Sequence, residues 1–233
     1  QKIVWGKFIN SGQTCIAPNY VLVHETQSDS LKKALINQLN VQFPPESESL
    51  TNIVNSHHFN RLSHLLEVTI KEGGVILHGG KTVKENNFIS PTLIEGISGN
   101  STLFQEEIFG PILPIITYTS LDQALTLIRT TEKPLALYLF SQSKKNKRTV
   151  LSQSSAGTTA INETTIQFAQ PHLPFGGVNH SGIGKAHGNF GFLEFSNQRS
   201  VLHQRIGFTT LKTIFPPYSN LKRKLIRFIT FWV

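Results

Sequence analysis

Short apolar runs alternate with amphipathic segments along this chain. Six runs are continuous in apolar or β-branched residues and have the length of buried strands, at 20–23, 75–77, 92–94, 112–117, 135–140 and 157–161. Between them, apolar residues recur every three or four positions, which predicts helices at 28–39, 57–71, 120–129 and 144–152. Residues 1–10 have the composition of the end of another apolar helix, which Ser11-Gly12-Gln13 interrupts.

Strands that alternate with helices favour a parallel α/β architecture, because the crossover between two parallel strands needs room for a helix. We therefore predict an open, mostly parallel sheet with flanking helices. A short strand at 199–202 and a basic amphipathic tail end the predicted fold. The predicted boundary follows residue 205, so that one domain covers 1–205 and the tail covers 206–233.

Composition excludes several classes of protein. The chain has 233 residues, of which 39% are hydrophobic, and this is enough to build a core and to exclude wholesale disorder. No apolar run approaches the roughly 18 residues that a helix needs to span a bilayer. A single cysteine, Cys15, excludes an internal disulfide and a paired-cysteine metal site.

The positive charge is concentrated in two groups without nearby acids, which together carry as much charge as the whole net excess of +8. The first group, within 144–148, lacks the interleaved aromatic residues of a nucleic-acid surface, so it indicates a solvated helix start. We therefore expect no nucleic-acid partner. The second group lies in the tail, within 222–227.

Cys15 is the first candidate for chemistry. It follows a glycine-containing break between a helix and a strand, where backbone amides can lower the pKa of a thiol and favour the nucleophilic thiolate. The alternative is a buried, inert cysteine, since an unpaired cysteine is among the most buried residue types. The local pattern alone leaves both interpretations open.

Three motifs, taken together, resemble those of the aldehyde dehydrogenase superfamily and occur in that family's order. They are Ser11-Gly12-Gln13-Thr14-Cys15, Glu106-Glu107-Ile108-Phe109-Gly110-Pro111, and Pro174-Phe175-Gly176-Gly177 with its continuation through Gly184. The segments Ala17-Pro18-Asn19-Tyr20 and Pro216-Pro217-Tyr218 make the chain most similar to the class 3 branch, which includes fatty-aldehyde enzymes. The resemblance covers nearly the whole chain, but only the C-terminal half of the family's protein.

The resemblance implies a role for each of three residues. Cys15 would attack an aldehyde as a thiolate and form a thiohemiacetal, hydride would pass to NAD or NADP, and water would hydrolyse the resulting thioester to a carboxylic acid. Glu107 resembles the glutamate that hydrogen-bonds the nicotinamide ribose, and Phe109 resembles the aromatic neighbour that positions the cofactor. The expected substrates are small-molecule aldehydes, long-chain and aromatic ones included.

The resemblance also places three of the family's elements upstream of Cys15: the general-base Glu, the Asn that binds the oxyanion, and the cofactor-binding half. Only 14 residues precede Cys15, so we expect these elements in a longer protein and no turnover from this piece alone. Two alternatives remain open. One is an inactive truncated relic or interaction subunit with the same fold, and the other is a thiol hydrolase or esterase that uses Cys15 alone.

Several weaker patterns are interpreted as structural. Gly182-Ile183-Gly184 follows no strand, which argues against a dinucleotide turn, and the phosphate-loop pattern around Gly79-Gly80-Lys81-Thr82 fails because position 75 is valine. Pro174-Phe175-Gly176-Gly177 predicts a tight loop near the wall of the active site. No metal site is predicted, because the histidines at 57, 58, 64 and 78 lack companions in a ligand pattern.

The tail has two interpretations. As a helix, Leu221 to Val233 presents a crowded basic face and a large apolar and aromatic one, which suits the surface of an anionic membrane. Packing against another part of the protein is the alternative. The resemblance further implies a homodimer, to which an exposed strand at 199–202 can contribute an edge. It implies a cytoplasmic enzyme, with or without peripheral membrane contact.

Overall fold

The computed structural model describes residues 1–44, 49–97, 101–207 and 209–231. The chain forms two compact units, Gln1–Phe195 and Ser196–Val233. The first unit contains Cys15 and Glu107, and the second contains the tail. The functional boundary predicted after residue 205 stays a prediction, since compactness alone does not define a functional domain.

Eight strands form one sheet of four and two pairs within the described residues. The strands are β1 Val21–His24, β2 Val75–His78, β3 Thr82–Val83, β4 Phe88–Ile89, β5 Thr92–Glu95, β6 Ile112–Tyr118, β7 Ala136–Leu139 and β8 Thr158–Ile161. The sheet of four has the order β1-β6-β5-β2, in which β1 and β5 both run parallel to β6 and β2 is antiparallel to β5. Strands β7 and β8 pair in parallel, and β3 and β4 form a small hairpin. The predicted open, mostly parallel sheet is confirmed.

Each predicted helix is found, and side chains cap several of them. The helices are α1 Lys2–Phe8, α2 Glu25–Gln42, α3 Ser56–Lys71, α4 Leu121–Thr130, α5 Lys144–Gln153, α6 Gly188–Glu194 and α7 Asn220–Phe231. Ser120 caps α4, where its hydroxyl accepts a 3.3 Å hydrogen bond from the backbone N–H of Gln123. Helix α2 begins before the predicted residue 28, because the Nδ1 atom of His24 accepts from the N–H of Thr26.

The four-stranded sheet is buried on both faces, which gives three layers. On one face, Leu93, Leu113 and Ile115 pack with α1 and α2 through Val4, Phe8, Leu35 and Leu39. On the other face, Ile94 and Ile112 pack with α3 through Phe59, Leu62, Leu65 and Leu66. Neighbouring residues of β5 and β6 therefore serve opposite layers, as the alternation of side chains along a strand requires.

The predicted strand at 199–202 is wrong. In the described part of the chain, residues 199–202 pair with no other strand, and Val201 and Leu202 are exposed. A strand is stable only when its N–H and C=O groups pair with a neighbouring strand. The sequence of residues 199–202 does not by itself supply such a partner. The hairpin of β3 with β4, the helix α6 and the short 3₁₀ helices were not predicted, because each is too short to show a period.

Helix α7 forms most of the second unit's regular structure. Its apolar residues Leu221, Phe228 and Phe231 are 77%, 65% and 80% exposed, on a helix that also carries four basic residues and no acid. Trp232 and Val233, which belong to the predicted tail, lie outside the described residues. Over the ranges that the structure describes, no helix combines the length and the apolar character needed to cross a bilayer.

Candidate active site

The two predicted site segments lead into neighbouring strands of the sheet. Cys15 lies in the segment before β1, and Glu107 and Phe109 lie in the segment before β6. Strands β1 and β6 are adjacent and parallel, with Val21 opposite Ile115. Segments that enter parallel neighbours arrive at the same edge of a sheet, so the topology brings Cys15 and Glu107 to one place although many residues separate them.

Two direct contacts join these segments. The Asn19 side-chain oxygen accepts a 3.0 Å hydrogen bond from the backbone N–H of Ile108. Gly12, whose φ is +71°, lies so close to Gly110 that a Cβ at position 12 would overlap the Gly110 carbonyl oxygen. A side chain at position 12 would therefore separate the cysteine segment from the glutamate loop. Glycine is also the residue that adopts this left-handed backbone most easily.

The backbone that leads to Cys15 is unusual. Asn10, Ser11 and Gly12 have consecutive positive φ angles of 51°, 52° and 71°, a conformation that costs free energy for residues with a Cβ. Gln13 supports the conformation through its side chain. The side chain donates to the Asn52 carbonyl at 3.1 Å and accepts from the backbone N–H of Val54 at 2.9 Å.

Cys15 itself lies in a tight turn closed by a 2.9 Å hydrogen bond from the N–H of Ala17 to the carbonyl of Thr14. Its thiol is exposed, whereas the following residue, Ile16, is 5% exposed. The cysteine is therefore not buried in this structure, and its reactivity stays a prediction. The turn buries Ile16 as an anchor and presents the thiol outward.

The loop that carries Glu107 and Phe109 is anchored by the residue between them. Ile108 is fully buried in the core on the α3 side of the sheet, while Glu107 and Phe109 are exposed on either side of it. Phe109 has a φ of +47°, which is uncommon for an aromatic residue. The buried isoleucine thus directs both predicted cofactor-binding side chains away from the core.

Arg61 of α3 holds this loop through three hydrogen bonds. Its guanidinium donates to the Ile108 carbonyl at 2.6 Å, to the Glu107 carbonyl at 3.3 Å and to the Glu106 carboxylate at 3.0 Å. The planar fork of arginine makes such multiple contacts in one geometry, which a lysine cannot reproduce. Sequence reasoning missed Arg61, since one arginine on an amphipathic helix is the ordinary solvent-facing pattern.

Lys7 of α1 is the second residue that sequence reasoning missed. It is 1% exposed, and burial lowers its pKa to about 7, with the negative charge of Glu107 opposing the shift. Loss of solvation raises the pKa of Glu107 above its ordinary value, against the positive charges of Lys7 and Arg61. A lysine in an apolar helix predicts a surface position, and only the fold shows that this one faces the site.

The third motif forms a loop tied to the start of β8. Phe175 and Ala186 exchange two backbone hydrogen bonds, of 3.1 and 2.6 Å. The ammonium group of Lys185 donates to three backbone carbonyls, at Gly157, Gly176 and Gly177, over 2.7 to 3.1 Å. These contacts agree with the structural role predicted for the motif.

In the described ranges, histidine, cysteine and acidic residues form no group of three or more that could hold a metal ion.

A comparison with protein families matches the aldehyde dehydrogenase family over residues 1–201. The chain belongs to this family. The predicted resemblance is confirmed, and so is the mixed α/β fold of an aldehyde dehydrogenase. Family membership does not by itself test the roles of Cys15, Glu107 and Phe109, which stay predictions.

Several characterised aldehyde dehydrogenases are similar to the chain. The 4,4'-diaponeurosporen-aldehyde dehydrogenase of Staphylococcus aureus is 43% identical over 208 residues, which cover 87% of this chain and 44% of that protein. Aldehyde dehydrogenase family 3 member A2 of Rattus norvegicus is 38% identical over 95% of this chain and 46% of its own length.

The same relation holds for solved structures. The substrate-bound structure of Staphylococcus aureus AldH superimposes with a TM-score of 0.86 and 40% identity, over 98% of this chain and 50% of that one. The chain thus spans about half the length of the curated relatives it matches. The chain contributes the turn of Cys15 and the loop of Glu107 to the candidate site.

The buried Lys7 predicts how stability depends on pH. Between about pH 7 and the ordinary lysine pKa of 10.5, the unfolded chain binds more protons than the folded one. The cost of burying the ammonium is therefore complete below pH 7 and is relieved as pH rises, by up to about 1.4 kcal/mol per pH unit. We expect Lys7→Met to gain stability over the parent protein at pH 6, and this gain to shrink by pH 9, in urea unfolding.

The control for this experiment is Lys71→Met, which removes an exposed lysine at the end of α3. A stability difference between Lys7→Met and the parent that stays constant from pH 6 to pH 9 would contradict the burial of a titrating ammonium.

Proposed function

We propose that this chain is the catalytic half of an NAD(P)+-dependent aldehyde dehydrogenase that oxidises aldehydes to carboxylic acids. The observation that carries the proposal is the exposed thiol of Cys15, held beside the Glu107 loop by the Asn19–Ile108 hydrogen bond and the close approach of Gly12 to Gly110. The reaction is proposed for the whole protein, whose other half supplies the base and the Asn implied by the resemblance.

The chemistry of the cysteine is nucleophilic. The thiolate of Cys15 forms a C–S bond with the aldehyde carbon, and the carbonyl oxygen becomes an oxyanion near the backbone N–H of Cys15. When the C=O bond forms again, the carbon loses its hydrogen as hydride and a thioester remains. Water then adds to the thioester and gives one proton to the base of the other half, the C–S bond breaks, and the carboxylic acid leaves with the thiolate restored.

Glu107 and Phe109 are proposed to hold the nicotinamide end of the cofactor. When bound, NAD(P)+ supplies the acceptor for hydride. The exposed carboxylate of Glu107 suits the two hydroxyls of a ribose, because a carboxylate accepts two hydrogen bonds. The exposed ring of Phe109 offers a flat apolar surface beside it. Both groups face outward next to the thiol's segment, so the residues present fit this end of the cofactor.

The substrate is proposed to be an apolar aldehyde. Exposed apolar side chains occur on the segments that adjoin Cys15, at Trp5, Ile9, Ile166 and Phe168. These segments are neighbours, because Gly6 of α1 packs against Thr164 and Thr165. Such a surface favours long-chain and aromatic aldehydes over small polar ones. The choice between NAD and NADP stays open, as does the homodimer, which rests on the resemblance alone.

Replacing the thiol tests the central proposal. In the intact protein, Cys15→Ala should reduce aldehyde oxidation to background, because it removes the proposed nucleophile and alanine cannot form the C–S bond. Cofactor binding, measured by quenching of protein fluorescence on addition of NAD(P)+, should survive. Cys15→Ser is the conservative control and should be nearly as inactive, since an unactivated hydroxyl is a far weaker nucleophile at neutral pH.

Two outcomes would decide against this function. Oxidation that persists in Cys15→Ala would show that Cys15 is not the nucleophile. A folded intact protein that binds NAD(P)+ yet oxidises no aldehyde, even with Cys15 present, would favour the inactive relic or interaction subunit.

Glu107 provides a second test. Glu107→Gln should slow hydride transfer about tenfold or more, because cofactor placement suffers, while alkylation of Cys15 by iodoacetamide stays nearly unchanged. Glu67→Gln is the matched control, since it makes the same change at an exposed glutamate of α3 outside this loop. Single-turnover formation of NAD(P)H measures the first effect. Loss of alkylation with hydride transfer retained would assign Glu107 to activation of the thiol instead.

We extend the proposal to the tail, which is suggested to bind an anionic membrane surface through α7. Its exposed apolar residues and acid-free basic face support this contact. Co-sedimentation with anionic vesicles should require residues 221–233 and should weaken with salt, because the surface potential is screened within about 10 Å at 0.1 M. Lys222→Glu with Lys224→Glu should weaken binding.

A charge-matched control is available on α5. Lys144→Glu with Lys145→Glu changes the same charge on a basic helix that lacks aromatic residues, and it should leave vesicle binding unchanged. Equal, weak binding with and without residues 221–233 would instead favour packing of the tail against protein.

A further inference from the structure

A partly buried hydrogen-bond relay ends on the turn that carries the thiol. The hydroxyl of Tyr138, in β7, donates a 2.7 Å hydrogen bond to the backbone carbonyl of Ile16, the residue after Cys15. The side-chain amide of Gln167 donates to the same hydroxyl at 3.1 Å. Gln167 is 8% exposed and lies in the short 3₁₀ helix Ile166–Ala169 that follows β8.

The direction of this relay is fixed by chemistry. A carbonyl can only accept, so Tyr138 must use its one proton on Ile16. The hydroxyl oxygen is then left as an acceptor, and Gln167 must present its NH2 group to it. This orientation leaves the Gln167 side-chain oxygen buried without a hydrogen-bond partner. An unpaired buried acceptor costs free energy, and the hydrogen bond from Gln167 to Tyr138 offsets part of this cost. The backbone of Thr165 also hydrogen-bonds the Tyr138 side chain.

The relay is close to the reacting group and is anchored to the helix that precedes it. Burial is the main cause that raises the pKa of Tyr138, and negative charge on Cys15 acts in the same direction. Tyr138 therefore keeps its proton at neutral pH. Just before Gln167, the Thr164 hydroxyl donates to the Lys2 carbonyl at the start of α1 over 2.9 Å.

We propose that Tyr138 and Gln167 form a positioning pair that fixes the Cys15 turn through the carbonyl of Ile16. The proposal rests on the proposed function and deepens it, since the pair acts on the orientation of the nucleophile toward the aldehyde. Neither residue touches the reacting atoms. Because this acceptor belongs to the backbone, the pair controls the path of the chain at the residue next to the thiol.

The test uses the intact protein and removes only the hydroxyl. Tyr138→Phe should lower kcat for aldehyde oxidation by about tenfold to a hundredfold, the cost of a reacting group misplaced by about 1 Å. Alkylation of Cys15 by iodoacetamide, which needs no aligned substrate, should stay within about threefold. The KM for NAD(P)+ should also stay near its parent value. Tyr118→Phe, the same deletion at the end of β6, is the matched control and should leave kcat unchanged.

Gln167 gives a second test that does not depend on the tyrosine variant being stable. Gln167→Met keeps the length of the side chain, and Tyr138 can still donate to Ile16, so the loss in kcat should be small. Gln167→Glu places an acceptor where a donor is needed, and it should draw the Tyr138 proton away from Ile16. Its loss should be larger at neutral pH and should be partly recovered as pH falls and the new carboxyl group becomes protonated.

The outcomes separate this proposal from the proposed function. If Cys15→Ala is inactive but Tyr138→Phe has the kcat of the parent, or Gln167→Met loses more than Gln167→Glu at neutral pH, the positioning pair is wrong and the function stands. Parallel losses of kcat and alkylation in Tyr138→Phe would also overturn it, since they indicate general damage to the site. Oxidation that persists in Cys15→Ala would overturn the function itself.

Discussion

The parallel pairing of β1 with β6 is the constraint on which the site depends. Each strand is entered by one of the two segments that carry chemistry, and parallel neighbours are entered from the same edge of a sheet. An antiparallel β1 would send the cysteine segment to the opposite edge, about the length of a strand away from Glu107. The contacts of Asn19 with Ile108 and of Gly12 with Gly110 refine a proximity that the topology already provides.

Burial around the site stabilises conformations that are unfavourable in isolation. Positive φ angles at Asn10, Ser11 and Phe109 each cost on the order of 1 kcal/mol or more. Their neighbours Phe8, Ile16 and Ile108 are buried, and burying a large apolar side chain contributes roughly 1.5 to 3 kcal/mol. The apolar residues next to the exposed functional groups therefore hold the strained backbone in place, and the functional side chains are free to face outward.

The sequence was sufficient for the main strands, most of the helices and the two motif segments, because these depend on local runs and on short, ordered patterns. It could not show the burial of Lys7 or the hydrogen bonds by which Arg61 holds the Glu107 loop, since both depend on which elements pack together. The strand predicted at 199–202 failed for the related reason that strand formation requires a partner. Gly12 and Gly110 were visible as parts of motifs, but nothing local showed that they touch.

The link from Tyr138 to the thiol's turn has a consequence for how variation in this protein is interpreted. Its acceptor is a main-chain carbonyl, which every residue type at position 16 supplies equally. The choice of amino acid at position 16 can therefore depend only on how well its side chain packs in the buried site that Ile16 occupies. Only the donor side chain at position 138 is constrained by this hydrogen bond. Covariation between positions 16 and 138 would therefore not reveal the contact.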